Sequence, residues 1–185
     1  MILMQHIVRE GHPALREKSE EVPFPLSQVD QELSENLIEY VKNSQDPELS
    51  IQYGLRPGIG LAAPQVNRLK RIFALHIIDE DKDPISFVAI NPRIVSHSVE
   101  KTYLSSGEGC LSVDREIDGY VPRYARITVK AYDAKGKEFK KRLKGLAAIA
   151  FQHELDHLNG VMFFDHIDHE MPFKEISNAV AFEHN

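Results

Sequence analysis

The sequence predicts an α+β fold, a single domain (residues 1–185) in which β-sheets pack around a central helix carrying an HExxH metal-binding motif. Three observations predict it. Segments with strand periodicity surround one strongly apolar helix and do not alternate regularly with helices, as they would in a doubly wound α/β chain. No linker, repeat or low-complexity tract divides the 185 residues, and 42% hydrophobic content is enough for one core. The motif His153-Glu154-Leu155-Asp156-His157 falls inside the apolar helix.

In chain order, apolar residues recur with helical spacing at Leu26, Val29, Leu33, Leu37, Ile38 and Val41. Ser27 is the expected cap, and Pro47 lies beyond the end. Asn43 to Gly60 is polar and rich in Pro and Gly, and reads as loop with at most one short turn of helix. Arg71–Ile78 and Phe87–Val95 read as strands, with Pro92 assigning part of the second to an edge or a bend. Ala125–Leu143 reads as a hairpin: Ile127, Val129 and Ala131 alternate with Arg126, Thr128 and Lys130, and Asp133-Ala134-Lys135-Gly136 supplies the turn. Leu143–Leu158 is the second strong helix, closed by Asn159-Gly160, where glycine suits a left-handed residue.

Composition narrows the function. The net charge of −6 excludes nucleic-acid binding through bulk charge, which needs Lys and Arg against phosphates. The one basic run, Lys140-Lys141-Arg142-Leu143-Lys144, reads as a solvated strand end. A single cysteine, Cys110, allows no internal disulfide and fits a reducing cytosol. Gln5, His6 and Arg9 interrupt the apolar N-terminus, so it lacks a signal peptide's core, and no stretch approaches a membrane span. A cytoplasmic location, with no membrane contact, is expected.

The chemistry centres on the second helix. His153 and His157, four apart, lie on one helical face and can reach one metal ion, while Glu154 beside them can act as general base toward water. Leu146, Ala147, Ala148, Ile149, Ala150 and Phe151 make this a core helix, where buried histidines and a glutamate are costly without a partner. A catalytic centre of this kind takes a third protein ligand. The extended HExxHxxGxxH pattern holds as far as Gly160 and fails at Phe163. Glu175 downstream would make a different metallopeptidase and is left open by spacing. Cys110, in Glu108-Gly109-Cys110-Leu111-Ser112, is the better candidate, although a lone cysteine is by default a small buried hydrophobe.

Three segments, Gly58-Ile59-Gly60-Leu61-Ala62-Ala63-Pro64-Gln65, Glu108-Gly109-Cys110-Leu111-Ser112 and Gln152-His153-Glu154-Leu155-Asp156-His157, resemble in order and spacing the signature segments of peptide deformylases. The resemblance runs from about Ile7-Val8-Arg9 and His12-Pro13 through Phe164. The segment before Gly58 resembles the insertion-bearing bacterial (class II-like) subclass. It implies removal of the N-formyl group from formyl-methionine at the start of newly made polypeptides, with release of formate. It further implies that Cys110, His153 and His157 bind one divalent metal, Fe²⁺ in the cell, with Zn²⁺, Ni²⁺ or Co²⁺ as alternatives in purified protein. Water takes the fourth position and Glu154 shuttles the proton. The side-chain amide of Gln65 and the backbone N–H of Leu111 would hold the oxyanion, and Gly60 would meet the substrate through its backbone.

These roles suit the residues: a thiolate leaves a divalent site with net charge +1, and an amide offers uncharged donors to a transient negative oxygen. The methionine pocket has the helix face of Ile149 and His153 as its expected wall. Glu108 and Arg123 are expected to pair and buttress the cysteine ligand. The implied partners are formyl-Met nascent peptides and a transient approach to the ribosome, for a monomer without sequence-specific nucleic-acid binding. The rivals are an HExxH metallopeptidase using Glu175 and a non-catalytic, metal-stabilised binding module.

Other motifs are weaker. Gly58-x-Gly60-x-x-Ala63, with Asp79-Glu80 downstream, imitates a dinucleotide fingerprint but lacks the apolar strand before it. Asp165-His166 and Asp168-His169 read as a solvated turn in preference to a second metal site. Asp114-Arg115-Glu116-Ile117-Asp118-Gly119 starts like a calcium loop, yet Ala125 stands where the closing glutamate is required.

Overall fold

The computed structural model describes residues 1–79 and 82–183; Glu80, the second acid of the dinucleotide imitation, lies outside them. The chain forms α1 (Gln28–Asn43), α2 (Pro47–Tyr53), β1 (Gly60–Ala62), β2 (Ile72–Asp79), β3 (Lys82–His97), β4 (Lys101–Leu104), β5 (Arg123–Tyr124), β6 (Arg126–Tyr132), β7 (Glu138–Lys144), α3 (Leu146–Leu158) and β8 (Ala179–Phe182). Two sheets result, an antiparallel one in the order β1-β2-β3-β6-β7 and a smaller one in the order β5-β4-β8. In the smaller sheet β4 and β8 run parallel, Lys101 opposite Ala179 and Leu104 opposite Phe182. Among the described residues no helix is long and apolar enough to cross a membrane.

Helix α1 begins where expected, with the Ser27 hydroxyl accepting the Asp30 N–H at 3.1 Å. The segment expected as loop contains the two-turn α2. Its start is the Asp46 carboxylate, which accepts the N–H groups of Glu48 and Leu49 at 2.9 Å. Pro47 stands first in the helix, and Gly54 closes it at φ 61°. No residue of α2 is buried, so no apolar period marked it in the sequence.

The large sheet lies between α1 and α3, the two helices expected from the sequence. On one face Phe73, Leu75, Ile77, Ala89, Ile127, Val129 and Ala131 pack against α3. On the other, Ile72, Ala74, Val88 and Ile90 pack against Leu37, Tyr40 and Val41 of α1. Strand β2 is covered on both sides, which explains its apolar run, interrupted only by His76 before Asp79. Each fully buried Leu, Ile or Phe here contributes about 1.5–3 kcal/mol.

Pro92 is in a central strand, not at an edge. The pairing register breaks between Ile90 and Arg93, and Asn91 takes φ 50°, so the proline sits in a bulge where no ladder donor is required. The Asn91 amide fixes that bulge by bonding the N–H and C=O of Val22 at 2.8 and 2.9 Å. The β6–β7 hairpin turns as read, the Asp133 carboxylate accepting from the N–H groups of Lys135 and Lys137.

Helix α3 starts at Leu146, three residues later than the apolar pattern suggested, because Leu143 and Lys144 finish β7 and Gly145 turns the chain at φ 57°. Its end is closed by Gly160 at φ 72°, packed so tightly that a Cβ there would lie 2.5 Å from the Arg16 carbonyl oxygen. Gly160→Ala is therefore expected to destabilise the fold by about 2 kcal/mol or more, since the left-handed penalty alone is roughly 1–2 kcal/mol. An unchanged urea midpoint would contradict this.

Candidate metal centre and active site

Three separate stretches of chain converge on one cleft. After β1 the backbone makes a single 3-10 turn, Ala63–Val66, ended by Asn67 at φ 57°. This turn buries Gln65 and fixes its amide, because Oε1 accepts the Ala62 N–H at 2.9 Å. The NH₂ end must then face Ser112 Oγ at 3.2 Å and Cys110 Sγ at 3.5 Å. The loop after β4 brings in Cys110, whose Sγ also accepts the Ser112 N–H at 3.5 Å. Helix α3 brings in His153, Glu154 and His157.

The ligand atoms of Cys110, His153 and His157 lie within 4.8 Å of one another; Cys110 and His157 are buried and His153 is nearly so. Cys110 Sγ is 3.3 Å from His157 Nε2. His153 Nδ1 is occupied by Glu108 Oε2 at 2.8 Å, which leaves Nε2 for the centre of the cluster. Burial alone would push the Cys110 thiol up, but the His157 and His153 imidazoles outweigh it and hold it well below the usual thiol range. Burial would push His153 down, but its hydrogen bonds with Cys110 and Glu108 raise it well above the usual histidine value. Both shifts have one cause, the attraction between a thiolate and positive charge beside it. A thiolate with two imidazoles is a fitting donor set for one first-row divalent ion.

Glu154 is 4% exposed, and its Oε2 has no hydrogen-bond partner among the described residues. Burial pushes its carboxyl up to about 7, a value that a nearby divalent cation would pull down. Gly60 presses against it: a Cβ at position 60 would lie 2.8 Å from Glu154 Cγ and closer still to the carboxylate. The cleft, of about 390 Å³, is lined by Gly58, Gly60, Gln65, Cys110, Leu111, Leu146, Ile149, His153 and Glu154, among others. The expected Ile149–His153 wall is part of it. Gly60, Gln65, Cys110, Leu111, His153 and Glu154 line this cleft, and His157 joins Cys110 and His153 in the cluster beside it.

Glu108 and Arg123 pair as expected, but the ligand the carboxylate braces is His153 and not the cysteine, and the pair is more deeply set than two surface charges would be. Both side chains are 3% exposed, and the guanidinium makes two bonds to the carboxylate, at 2.8 and 2.9 Å. Burial would raise the Glu108 carboxyl, but Arg123 and His153 bring it down to about 2. Arg123 also bonds Asp156, which in turn meets His166 Nε2 at 2.8 Å. A polar chain therefore runs from His153 through Glu108, Arg123 and Asp156 to His166. Asp156 and His166 were not assigned to this chain from the sequence: Asp156 sat unremarked inside the HExxH motif, and His166 was read as part of a solvated turn. Nothing in sequence spacing signals a bond between them.

The decoys resolve differently. Asp165 accepts the Met162 N–H and pairs with Arg16, while Asp168 accepts the N–H groups of Glu170 and Met171. These are turn-forming roles. Asp114 pairs with Arg9 and Arg56. The glycine motif opens a strand and a 3-10 turn, not a helix. Glu175 is exposed in a shallow depression beside Tyr120 and His166 and is not in the Cys/His/His cluster. Phe163, where the extended motif requires histidine, stacks on the His153 ring at 5.9 Å between centroids.

Comparison with known proteins agrees with this geometry. A family model described as Polypeptide deformylase matches residues 4–172. Peptide deformylase 2 of Bacillus subtilis (strain 168) is 60% identical over 183 residues, covering 99% of this chain and 100% of that protein. A peptide deformylase of Macrococcus caseolyticus is 56% identical over 184 residues, covering 99% and 100% respectively. The crystal structure of peptide deformylase from Ehrlichia chaffeensis superimposes with a TM-score of 0.74 at 33% identity, covering 90% of this chain and 89% of that one. With the family model spanning most of its length, this chain belongs to the polypeptide deformylase family.

Proposed function

We propose that this deformylase works as one catalytic domain over residues 1–185, with Glu154 as the proton carrier and Gln65 and Leu111 as oxyanion donors. The reaction is the family's: hydrolysis of the formyl amide on the methionine of newly made polypeptides, releasing formate. The observation that carries the assignment is the buried Glu154 carboxyl, unpartnered at Oε2, in the wall of the cleft beside the Cys110/His153/His157 cluster.

A bound divalent ion, held by Cys110, His153 and His157, supplies Lewis acidity and lowers the pKa of water. Glu154 takes a proton from the attacking water as its oxygen adds to the formyl carbon. The Gln65 amide and the Leu111 N–H receive the charge that develops on the formyl oxygen. Glu154 then hands its proton to the leaving amine, and formate departs. Gly60, lacking a side chain, leaves its backbone open to the peptide. The small formyl group and an apolar wall at Ile149 set the specificity.

Fe²⁺ is our assignment for the ion in the cell. The affinity order favours zinc over Fe²⁺ at such a site, so zinc, nickel or cobalt found in purified protein would not identify the physiological metal. A cytoplasmic monomer that meets its substrates near the ribosome, with neither membrane contact nor sequence-specific nucleic-acid binding, fits a nascent-chain substrate and a net charge of −6.

The test is formate release from formyl-Met-Ala-Ser by anaerobically iron-loaded enzyme, with acetyl-Met-Ala-Ser beside it and a chelated sample as control. Formate from the formyl peptide alone, lost on chelation and restored by metal, is expected. Internal peptide cleavage, or formate release indifferent to metal, would overturn the assignment.

A further inference from the structure

We propose that Arg56 is a positioning residue for the oxyanion donor: its guanidinium holds the carbonyl of the Cys110–Leu111 peptide and so sets the direction and strength of the Leu111 N–H. The inference rests on the donor role given to Leu111 above and adds the side chain that makes the role possible.

Arg56 comes from the stretch between α2 and β1, far in sequence from the cysteine loop. Its own backbone is fixed, because its carbonyl oxygen accepts the hydroxyl of the fully buried Tyr40 at 3.0 Å. Its side chain is fixed at the far end as well. Nη1 donates to Asp114 Oδ1 at 2.9 Å, and the other oxygen of that carboxylate is held by Arg9 Nε at 3.1 Å. From this double anchor Nη2 donates to two backbone carbonyls of one turn, Val113 at 2.9 Å and Cys110. The Cys110 oxygen also accepts the Val113 N–H at 3.1 Å, so it carries two donors.

The consequence follows from the geometry of one peptide group. The Cys110 carbonyl and the Leu111 N–H belong to the same planar unit, and in a trans peptide they point in opposite directions. Pinning the oxygen on one side therefore fixes the N–H on the other. Among the described residues the Leu111 N–H has no acceptor, and both Cys110 and Leu111 line the cleft. A cation on the carbonyl oxygen also polarises the amide, which strengthens its N–H as a donor. Loop anchorage alone would be served by any one of these bonds. Two carbonyls of the turn taken by one nitrogen fix the orientation of the peptide. Both terminal nitrogens of the guanidinium, which borders the cleft, are already engaged, by Asp114 and by the two carbonyls, and so are not free for a substrate carboxylate.

Arg56→Met and Arg56→Lys test the idea in zinc-loaded enzyme, which is diamagnetic. Four quantities are read: kcat and KM for formyl-Met-Ala-Ser, metal per chain, and the Leu111 amide resonance in a ¹H–¹⁵N spectrum. Removing an oxyanion donor outright costs about 10²–10³ in kcat, so misaligning one in Arg56→Met is expected to cost about 10-fold. KM and metal content should stay close to wild type, and the Leu111 amide proton should move upfield. Arg56→Lys, which can donate to a carbonyl but lacks the planar fork, should recover part of both signals.

An unmoved Leu111 resonance in both variants would overturn the proposal, because the peptide would then be held without Arg56. A rise in KM at constant kcat would overturn it in favour of a direct substrate contact. A displaced resonance with unaltered kcat would instead remove the donor role of Leu111, and the proposal with it, while leaving Arg56 as a structural tie. Arg56→Lys keeps the question answerable if Arg56→Met does not fold.

Discussion

Glu154→Gln is expected to lower kcat for formyl-Met peptides by about 10²–10⁴, the usual contribution of a general acid–base group, with the metal retained and the fold intact. The substitution keeps the side chain's shape, which matters because Gly60 leaves no slack against it. It removes the capacity to accept a proton. Its buried position in the cleft wall beside the cluster lets the carboxylate take a proton from water and return it to the leaving amine. A merely structural Glu154 would tolerate the amide, which is of the same size and able to hydrogen-bond. Steady-state formate release, with metal per chain measured on the same sample, decides between them. Near-wild-type turnover at full metal loading would remove Glu154 from the mechanism.

The second large effect concerns the support behind His153. Arg123→Ala leaves the Glu108 carboxylate buried beside His153 without its cation, and also unties Asp156. Breaking one partner out of a buried ion pair costs about 3–5 kcal/mol. Losing the groups that orient a ligating histidine typically costs about 10–100-fold in metal affinity. Both losses are expected here, read by urea unfolding and by competition with a chromophoric chelator. Arg123→Ala combined with Glu108→Gln should cost less than the two single losses added together, because the second change removes the stranded charge. Unchanged metal affinity in Arg123→Ala would show that Glu108 orients His153 unaided.

How much of this was legible in the sequence depended on whether burial left a periodic trace. Helix α1 was visible because it buries apolar residues at helical spacing, α3 because its first turns are apolar on nearly every side, and β6 because its inward residues alternate. Helix α2 buries nothing, so only its punctuation remained, Asp46-Pro47 at the start and Gly54 at the end. Strands β4, β5 and β8 are two to four residues long, and β8 finds its partner more than seventy positions away, a pairing that no local pattern encodes. Of the two readings of Pro92, an edge or a bend, the bend holds: a bulge at Asn91, tied to Val22, lets the proline occupy a central strand.

The cleft residues were legible for another reason. A glutamate and two histidines inside an apolar helix demand an explanation on energetic grounds, and three motifs in the right order supplied it. Arg56, Ser112 and His166 were assigned no part because their roles consist of side-chain bonds to groups distant in the sequence. Arginine in a loop and histidine in a turn look ordinary until the partner is known.

The separation of the three converging stretches has a consequence for how the molecule assembles. Two of these stretches supply the cluster, so it comes into being only when the loop bearing Cys110 has closed onto α3. An ion bridging Cys110 to His153 and His157 then acts as a cross-link across that loop. It binds the native arrangement far better than the unfolded one, so occupancy adds to stability by mass action. Metal supply and persistence of the fold are thereby linked: a cell starved of the ion would lose not only turnover but also some of the protection against unfolding that the loaded chain enjoys.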